Sequence, residues 1–296
     1  MPNPSSVHDL RRVGEGRTAE IFAWGDGRVL RLLRDGASRE YVLHELNVCR
    51  CVHDAGIPSP AVYPAESEDG LIEIDGRLGF VMERVEGASM LEELTAKPWR
   101  LWRHARSFAD LHLRLHASTA AGLPSQLDRF HRIVGGISGT IGQSAANGIR
   151  AAIDELSEGS AICHGDFHPD NILMSSRGPV LIDWGPATSG CPAADIAWTL
   201  YLFRHGGAPP GMRWGQRLVL ALFRRMFLGA YRRAYLRGSD LRWSEVVRWG
   251  PAIAAIRLGD RIPEERELLL RLLRREFGGD RRSSHDRPTP PSVASS

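Results

Sequence analysis

Lysine is all but missing from this chain: of 38 basic residues among 296, only Lys97 is not arginine. Any other cationic role therefore falls to a planar guanidinium that stays charged at every physiological pH. Cysteine is scarce as well. The four residues at 49, 51, 163 and 191 form no Cys-x-x-Cys pair, and Cys49 and Cys51 would point to different faces of a helix, so neither a zinc site nor a disulfide framework is expected. Long apolar runs are lacking too. The longest, Leu218 to Phe223, is far short of the roughly 20 residues that span a bilayer, and the opening residues carry no signal-peptide core. A cytoplasmic protein with no membrane partner is the expectation.

What is present suits a globular enzyme. Hydrophobic residues make up 43% of the chain, enough for a real core. The net charge of +3 conceals an uneven distribution, with about nineteen arginines against about nine acids beyond Ile196. Those arginines alternate with Leu and Trp on amphipathic helices, which reads as a solvated face and not as a nucleic-acid surface.

The densest information lies in Cys163 to Gly185, CHGDFHPDNILMSSRGPVLIDWG. Asp166 and Asn171 stand five apart on a loop, and Asp183 follows a short hairpin. Phosphoryl transfer needs one carboxylate to orient the attacking hydroxyl and oxygen ligands to hold magnesium on the phosphates, and these residues supply that set. Gly-Asp turns and Asx-Pro steps are common for conformational reasons alone. Here His164, Gly165, Asp166, His168 and Asn171 combine with apolar Ile172-Leu173 and with Val180-Leu181-Ile182 running into Asp183, a compound pattern that turn chemistry does not explain.

The pattern resembles the aminoglycoside phosphotransferase family, the small-molecule branch of the protein-kinase-like fold, which carries HGDxHxxN where protein kinases carry HRDxxxxN, and IDW or IDF in place of DFG. Gly190 to Ala197 is similar to the family's GxPxxDxA segment. The resemblance implies Asp166 as the catalytic base or hydroxyl-orienting residue and His168 beside the transferring phosphate. It implies Asn171 and Asp183 as magnesium ligands, and a structural role for Asp195. The cofactors implied are ATP and Mg2+.

Upstream, Gly14 and Gly16 precede an alternating segment, and Asp26-Gly27 marks a hairpin into Arg28 to Leu33. A glycine-rich hairpin can approach phosphates without side-chain obstruction. The pattern Gly14-x-Gly16-x-x-Ala19 lacks the third glycine of the protein-kinase loop. Where the family places a strand lysine for the phosphates, this chain has Arg31. Residues 38 to 55 read as a helix stopped by Gly56, with Glu45 as the expected partner of Arg31 and Glu40 as the alternate. Strands are expected at 62–63, 71–74 and 78–82, with Asp75-Gly76 as a turn. Glu83 to Gly87, including Val85, resembles the hinge whose backbone would hold adenine.

Helical spacing returns over Leu101 to His116. His104, His112 and His116 fall near one face, but no fourth ligand is placed, so a surface or core-rim role is expected. Residues 123–148, rich in Gly and Ser, resist assignment and suggest an insertion near the substrate cleft. Further helices are expected at about 193–205, 214–237, 243–257 and 263–277, and a disordered tail from 278.

The expected fold is α+β and bilobal, protein-kinase-like: residues 1–86 as a small antiparallel-sheet lobe, 87–277 as a larger helical lobe, 278–296 as tail. The expected activity is ATP- and Mg-dependent phosphorylation of a hydroxyl on a small molecule, such as an aminoglycoside-like antibiotic, a sugar or an amino alcohol. The sequence does not fix the acceptor or the oligomeric state. A metallophosphoesterase would match Gly165-Asp166-x-His168 but needs further His and Asp ligands that do not follow. A catalytically impaired, regulatory nucleotide-binding protein is the alternative that Arg31 keeps open. No activation segment with an APE-like end follows Asp183, which disfavours a protein substrate.

Overall fold

In the computed structural model, residues 6–277 are described except 17, 66, 157, 207–210 and 261; the expected tail at 278–296 lies outside the described residues. The small lobe begins with β1 (Arg12–Glu15), β2 (Ala19–Ala23) and β3 (Arg28–Leu33), a three-strand meander. Helix α1 (Arg39–Asp54) follows, started by the Ser38 hydroxyl accepting from the Tyr41 amide at 3.2 Å. Gly56, at φ 76°, lies just beyond the helix end in the left-handed conformation that such positions favour. Strands β4 (Val62–Tyr63), β5 (Ile72–Ile74) and β6 (Arg77–Glu83) complete an antiparallel sheet of order β1-β2-β3-β6-β4, with β5 also on β6.

Period-two alternation along β3 gives its two faces different work. Leu30 and Leu32 join Phe22, Trp24, Ile74 and Val81 on one side, while Val29 and Leu33 face the main core with Val42, Leu46 and Cys49 of α1. Arg31 shares the α1 side by parity. Glu45 lies on the buried stripe of α1 with those three residues, so strand and helix periodicities bring the two charges together before any electrostatic preference acts.

After Gly87 the chain enters the larger lobe through β7 (Ala88–Ser89), α2 (Met90–Ala96), α3 (Leu101–His116), α4 (Gln126–Ile141) and α5 (Gln143–Asp154). Gly87 is required where it stands: its φ is 150°, and a Cβ there would sit 2.4 Å from the Met174 carbonyl oxygen. Strands β8 (Ala161–Cys163), β9 (Ile172–Ser175), β10 (Gly178–Leu181) and β11 (Thr188–Gly190) frame the loops that carry the candidate site, with β9 between β7 and β10, and β11 on β8. Helices α6 (Pro192–His205), α7 (Trp214–Arg237), α8 (Trp243–Arg248), α9 (Gly250–Gly259) and α10 (Pro263–Phe277) finish the lobe. The architecture is α+β, bilobal and protein-kinase-like, and no described helix is long and apolar enough to cross a membrane.

Three expectations need correction. Residues 123–148, which resisted assignment, are regular: they fold largely into α4 and the start of α5, because Phe130, Val134 and Ile137, then Ala146, Ile149 and Ile153, bury one helical face each. The helix expected at 243–257 is broken at Trp249, since Pro251 has no N–H to continue the hydrogen-bond ladder. Of the surface and core-rim roles open to the histidines of α3, the surface role falls: His104 and His112 are buried, and the His116 side chain is only 4% exposed.

Candidate active site

The loop between β8 and β9 carries His164, Asp166, His168 and Asn171, and its shape is set mostly from beneath. Asp195, fully buried near the start of α6, accepts from the backbone N–H of His164 at 2.7 Å and of Gly165 at 2.8 Å. The same carboxylate receives His112 Nε2 at 3.2 Å and His116 Nε2 at 3.3 Å, while the Nδ1 atoms of those histidines meet the Tyr231 and Tyr235 hydroxyls at 2.9 and 2.7 Å. Burial pushes His112 down to about 3, so it stays neutral. Burial would raise Asp195, but its hydrogen bonds to His112 and His116 outweigh that and hold it well below the usual carboxylate range. Two histidines and a carboxylate within 4.8 Å have the composition of a metal site; here each imidazole is spent on a hydrogen bond between Asp195 and a tyrosine, and the trio reads as a polar clamp.

Gly165 explains one letter of the sequence motif. Its φ is 73°, and a Cβ would lie 2.7 Å from the Pro186 carbonyl oxygen. No other residue fits the loop as drawn.

Asp166 is oriented by Asn171, whose Nδ2 donates to the Asp166 carbonyl at 2.9 Å and to Oδ2 at 3.2 Å. His168 Nε2 lies 3.4 Å from the same Oδ2. Burial works to raise the Asp166 carboxyl, yet the hydrogen bond and charge of His168, with help from His164 and Asn171, hold it below its ordinary value. The group is an anion at neutral pH. Asp183 stands at the end of the β10 segment with φ 63°, an uncommon conformation for a residue with a Cβ and one that recurs where a side chain must be aimed at a site.

Across the cleft, Arg31 joins the lobes. Its Nε donates to Glu45 Oε1 at 2.6 Å, and its Nη2 to Asp183 Oδ1 at 3.0 Å. Glu45 faces Arg31, whereas Glu40 is exposed. The pair divides the burial cost unevenly. Burial would lower Arg31, but Glu45 and Asp183 hold it above the ordinary guanidinium value; burial keeps Glu45 above the ordinary carboxyl value despite Arg31. The guanidinium does not deprotonate, so a 2.6 Å contact is an ion pair. Glu45 Oε2 is buried with no hydrogen-bond partner.

The remaining sequence candidates sit around this centre with less distinct geometry. Gly14 pairs with Ile21 inside β1, and the Gly16 N–H bonds the Ala19 carbonyl at 2.8 Å to close the hairpin; neither has a positive φ. The Glu83 carboxylate is occupied by Arg177 at 2.8 Å and the Ala61 N–H at 3.2 Å, and its own N–H by the Ala61 carbonyl at 2.8 Å, which points any ligand role to its carbonyl. Val85 lies in the irregular stretch 84–86 between β6 and β7, directly after Arg84, whose N–H bonds the Gly27 carbonyl at 2.9 Å. Sequence reasoning missed Arg129, which donates to the Pro186 carbonyl and adds positive charge near Asp166. It also missed Tyr41, whose hydroxyl is placed beside Glu45 and Asp183. Nothing local to either residue announces the contact.

The overall fold is shared with known proteins. The profile of the APH group, described as the phosphotransferase enzyme family, matches residues 9–241. No curated protein matches the chain. Amicoumacin kinase hAmiN, solved with AMP-PNP, Ca2+ and amicoumacin, is 14% identical with a TM-score of 0.61 over 92% of this chain and 89% of that one. A thermostable mutant of aminoglycoside phosphotransferase APH(4)-Ia, solved with AMP-PNP and hygromycin B, is 16% identical with a TM-score of 0.57, covering 91% and 93%. A choline/ethanolamine kinase family protein from Mesorhizobium loti is 20% identical with a TM-score of 0.52, covering 91% and 90%. At such identities the structures speak for the fold, while the profile spans both lobes and the whole of the Asp166, Asn171 and Asp183 loop system: this chain belongs to the phosphotransferase enzyme family.

Proposed function

We propose that the protein transfers the γ-phosphoryl group of ATP to a hydroxyl of a small molecule, with magnesium bound by Asp183 and Asn171. The observation that carries this reading is Asp166, a carboxylate kept ionised and fixed by Asn171 and His168. The acceptor hydroxyl oxygen forms a bond to the γ-phosphorus as the β–γ bridging P–O bond breaks. ADP departs with the electron pair, and the hydroxyl proton passes to Asp166. Arg31, held by Glu45 from the small lobe, supplies the cation for the phosphates in place of a lysine, and its fork can pair a carboxylate and a phosphate at once. The hinge backbone around Glu83 to Val85 is the adenine contact, and the hairpin bearing Gly14 and Gly16 covers the phosphates.

The donor set fits magnesium, because Asp183 and Asn171 offer hard oxygen ligands and Asp183 is partly exposed toward the cleft. When bound with the phosphates, the ion would neutralise charge that develops on them during transfer.

One observation favours a second reading, a nucleotide-binding protein with impaired catalysis: Arg31 is already engaged by two carboxylates. Turnover separates the two. Purified protein, given ATP and magnesium with a panel of hydroxylated antibiotics, sugars and amino alcohols, is expected to form ADP and a phosphorylated acceptor in equal amounts. ATP binding without transfer to any acceptor supports the impaired reading; no ATP binding contradicts both.

A further inference from the structure

Beside the catalytic loop, α2, α6 and α7 flank an open cavity of about 730 Å³, within the range that holds a drug-sized molecule. Its floor is the stacked pair Phe203 and Phe227, ring centroids 5.2 Å apart, and Leu94, Leu220 and Phe223 extend the same apolar surface. His168, Pro169 and Asp170 form the wall nearest the chemistry. His168 touches both places: it lines the cavity, and its Nε2 is 3.4 Å from Asp166 Oδ2.

We propose that this cavity is the acceptor subsite, and that it takes a molecule whose bulk is apolar and uncharged and which presents one hydroxyl toward His168 and Asp166. The proposal rests on the phosphotransferase reading and adds the class of acceptor to it. Four observations carry it. The cavity reaches His168, whose Nε2 is 3.4 Å from Asp166 Oδ2, so one wall of it is a direct neighbour of the carboxylate that would orient the attacking oxygen. Asp170 is the one carboxylate among its described lining residues, so a polycation would lose its hydration and find a single counter-charge there, at a cost that the surrounding hydrocarbon does not repay. Two large apolar side chains of the rim meet water, Leu91 at 47% and Val219 at 68% exposure, on opposite helices, and both gain on covering by an apolar ligand. Arg224, at the same wall, donates to the Gly206 carbonyl at 2.6 Å and adds positive charge that repels a cationic acceptor further.

The test uses the full chain and two measurements on the same preparation. Nile red, a neutral apolar dye, reports cavity occupancy by fluorescence; decyl β-glucoside, glucose and 2-deoxystreptamine are the competitors. MgATP affinity is taken separately by calorimetry. The expected result is saturable dye binding, displacement by decyl glucoside at least tenfold more effective than by glucose or deoxystreptamine, and a loss of dye affinity of tenfold or more in Leu220→Glu. Leu91→Glu, at an exposed position where a folding defect is not expected, should lower dye affinity in the same direction. The proposal is overturned by dye binding that neither variant changes, by no dye binding, or by displacement led by deoxystreptamine. Failure of the dye results with MgATP affinity intact removes the cavity assignment and leaves the phosphotransferase reading standing. Dye binding without MgATP affinity removes the phosphotransferase reading and, with it, the cavity's role as an acceptor subsite.

Discussion

Replacing Asp166 by Asn is expected to lower phosphoryl transfer about 10²-fold or more while the protein stays folded and still binds nucleotide. The substitution keeps the shape of the side chain. An amide oxygen at the same place can still accept from Asn171 Nδ2, and the second Asn171 bond goes to the backbone carbonyl, which the change leaves alone. What disappears is the anion proposed to receive the hydroxyl proton. Single-turnover transfer to any acceptor found in the screen, with melting temperature and MgATP affinity measured on the same sample, separates chemistry from folding. Near-normal turnover would remove Asp166 from the mechanism.

The largest expected loss of stability comes from Asp195→Ala. The wild-type carboxylate accepts from two backbone N–H groups and two imidazoles in a site with no exposure, and truncation leaves all four donors without that acceptor. Breaking a buried charged network of this kind costs about 3–5 kcal/mol. Turnover should fall along with stability, because the same carboxylate fixes His164 and Gly165, directly before Asp166. Denaturant unfolding is the measurement. A variant within about 0.5 kcal/mol of wild type, the range of ordinary surface substitutions, would mean that other contacts hold the loop.

Local chemistry was legible in the sequence where it decides local shape. Asp75-Gly76 forms its expected turn with both residues at positive φ, 51° and 75°, as a two-residue hairpin of the primed type requires. The Arg31 and Glu45 pairing was legible because two short periodicities, one strand and one helix, place both residues on facing surfaces. The glycines at 135, 136, 139 and 142 made the segment around them look irregular, yet packing of the Phe130, Val134 and Ile137 stripe overrides their poor helix propensity. His112 and His116 could not be read as a clamp, since their tyrosine partners lie 119 residues away and their carboxylate 83 and 79. Arg129 and the apolar cavity share that origin: each is assembled from elements distant in the chain, and no local pattern announces it.

Whether Arg31 holds the nucleotide is the claim on which the rest turns, and MgATP calorimetry across wild type, Arg31→Ala, Glu45→Ala and the double variant measures it most directly. Arg31→Lys serves as the charge-preserving control. The account predicts that wild type binds, that Arg31→Lys keeps binding, and that Arg31→Ala loses about tenfold or more, the scale of one charge-assisted contact. It predicts also that Glu45→Ala adds little in the Arg31→Ala background, because residues that act as one unit are not additive. Wild-type affinity in Arg31→Ala, or fully additive losses across the cycle, would contradict it.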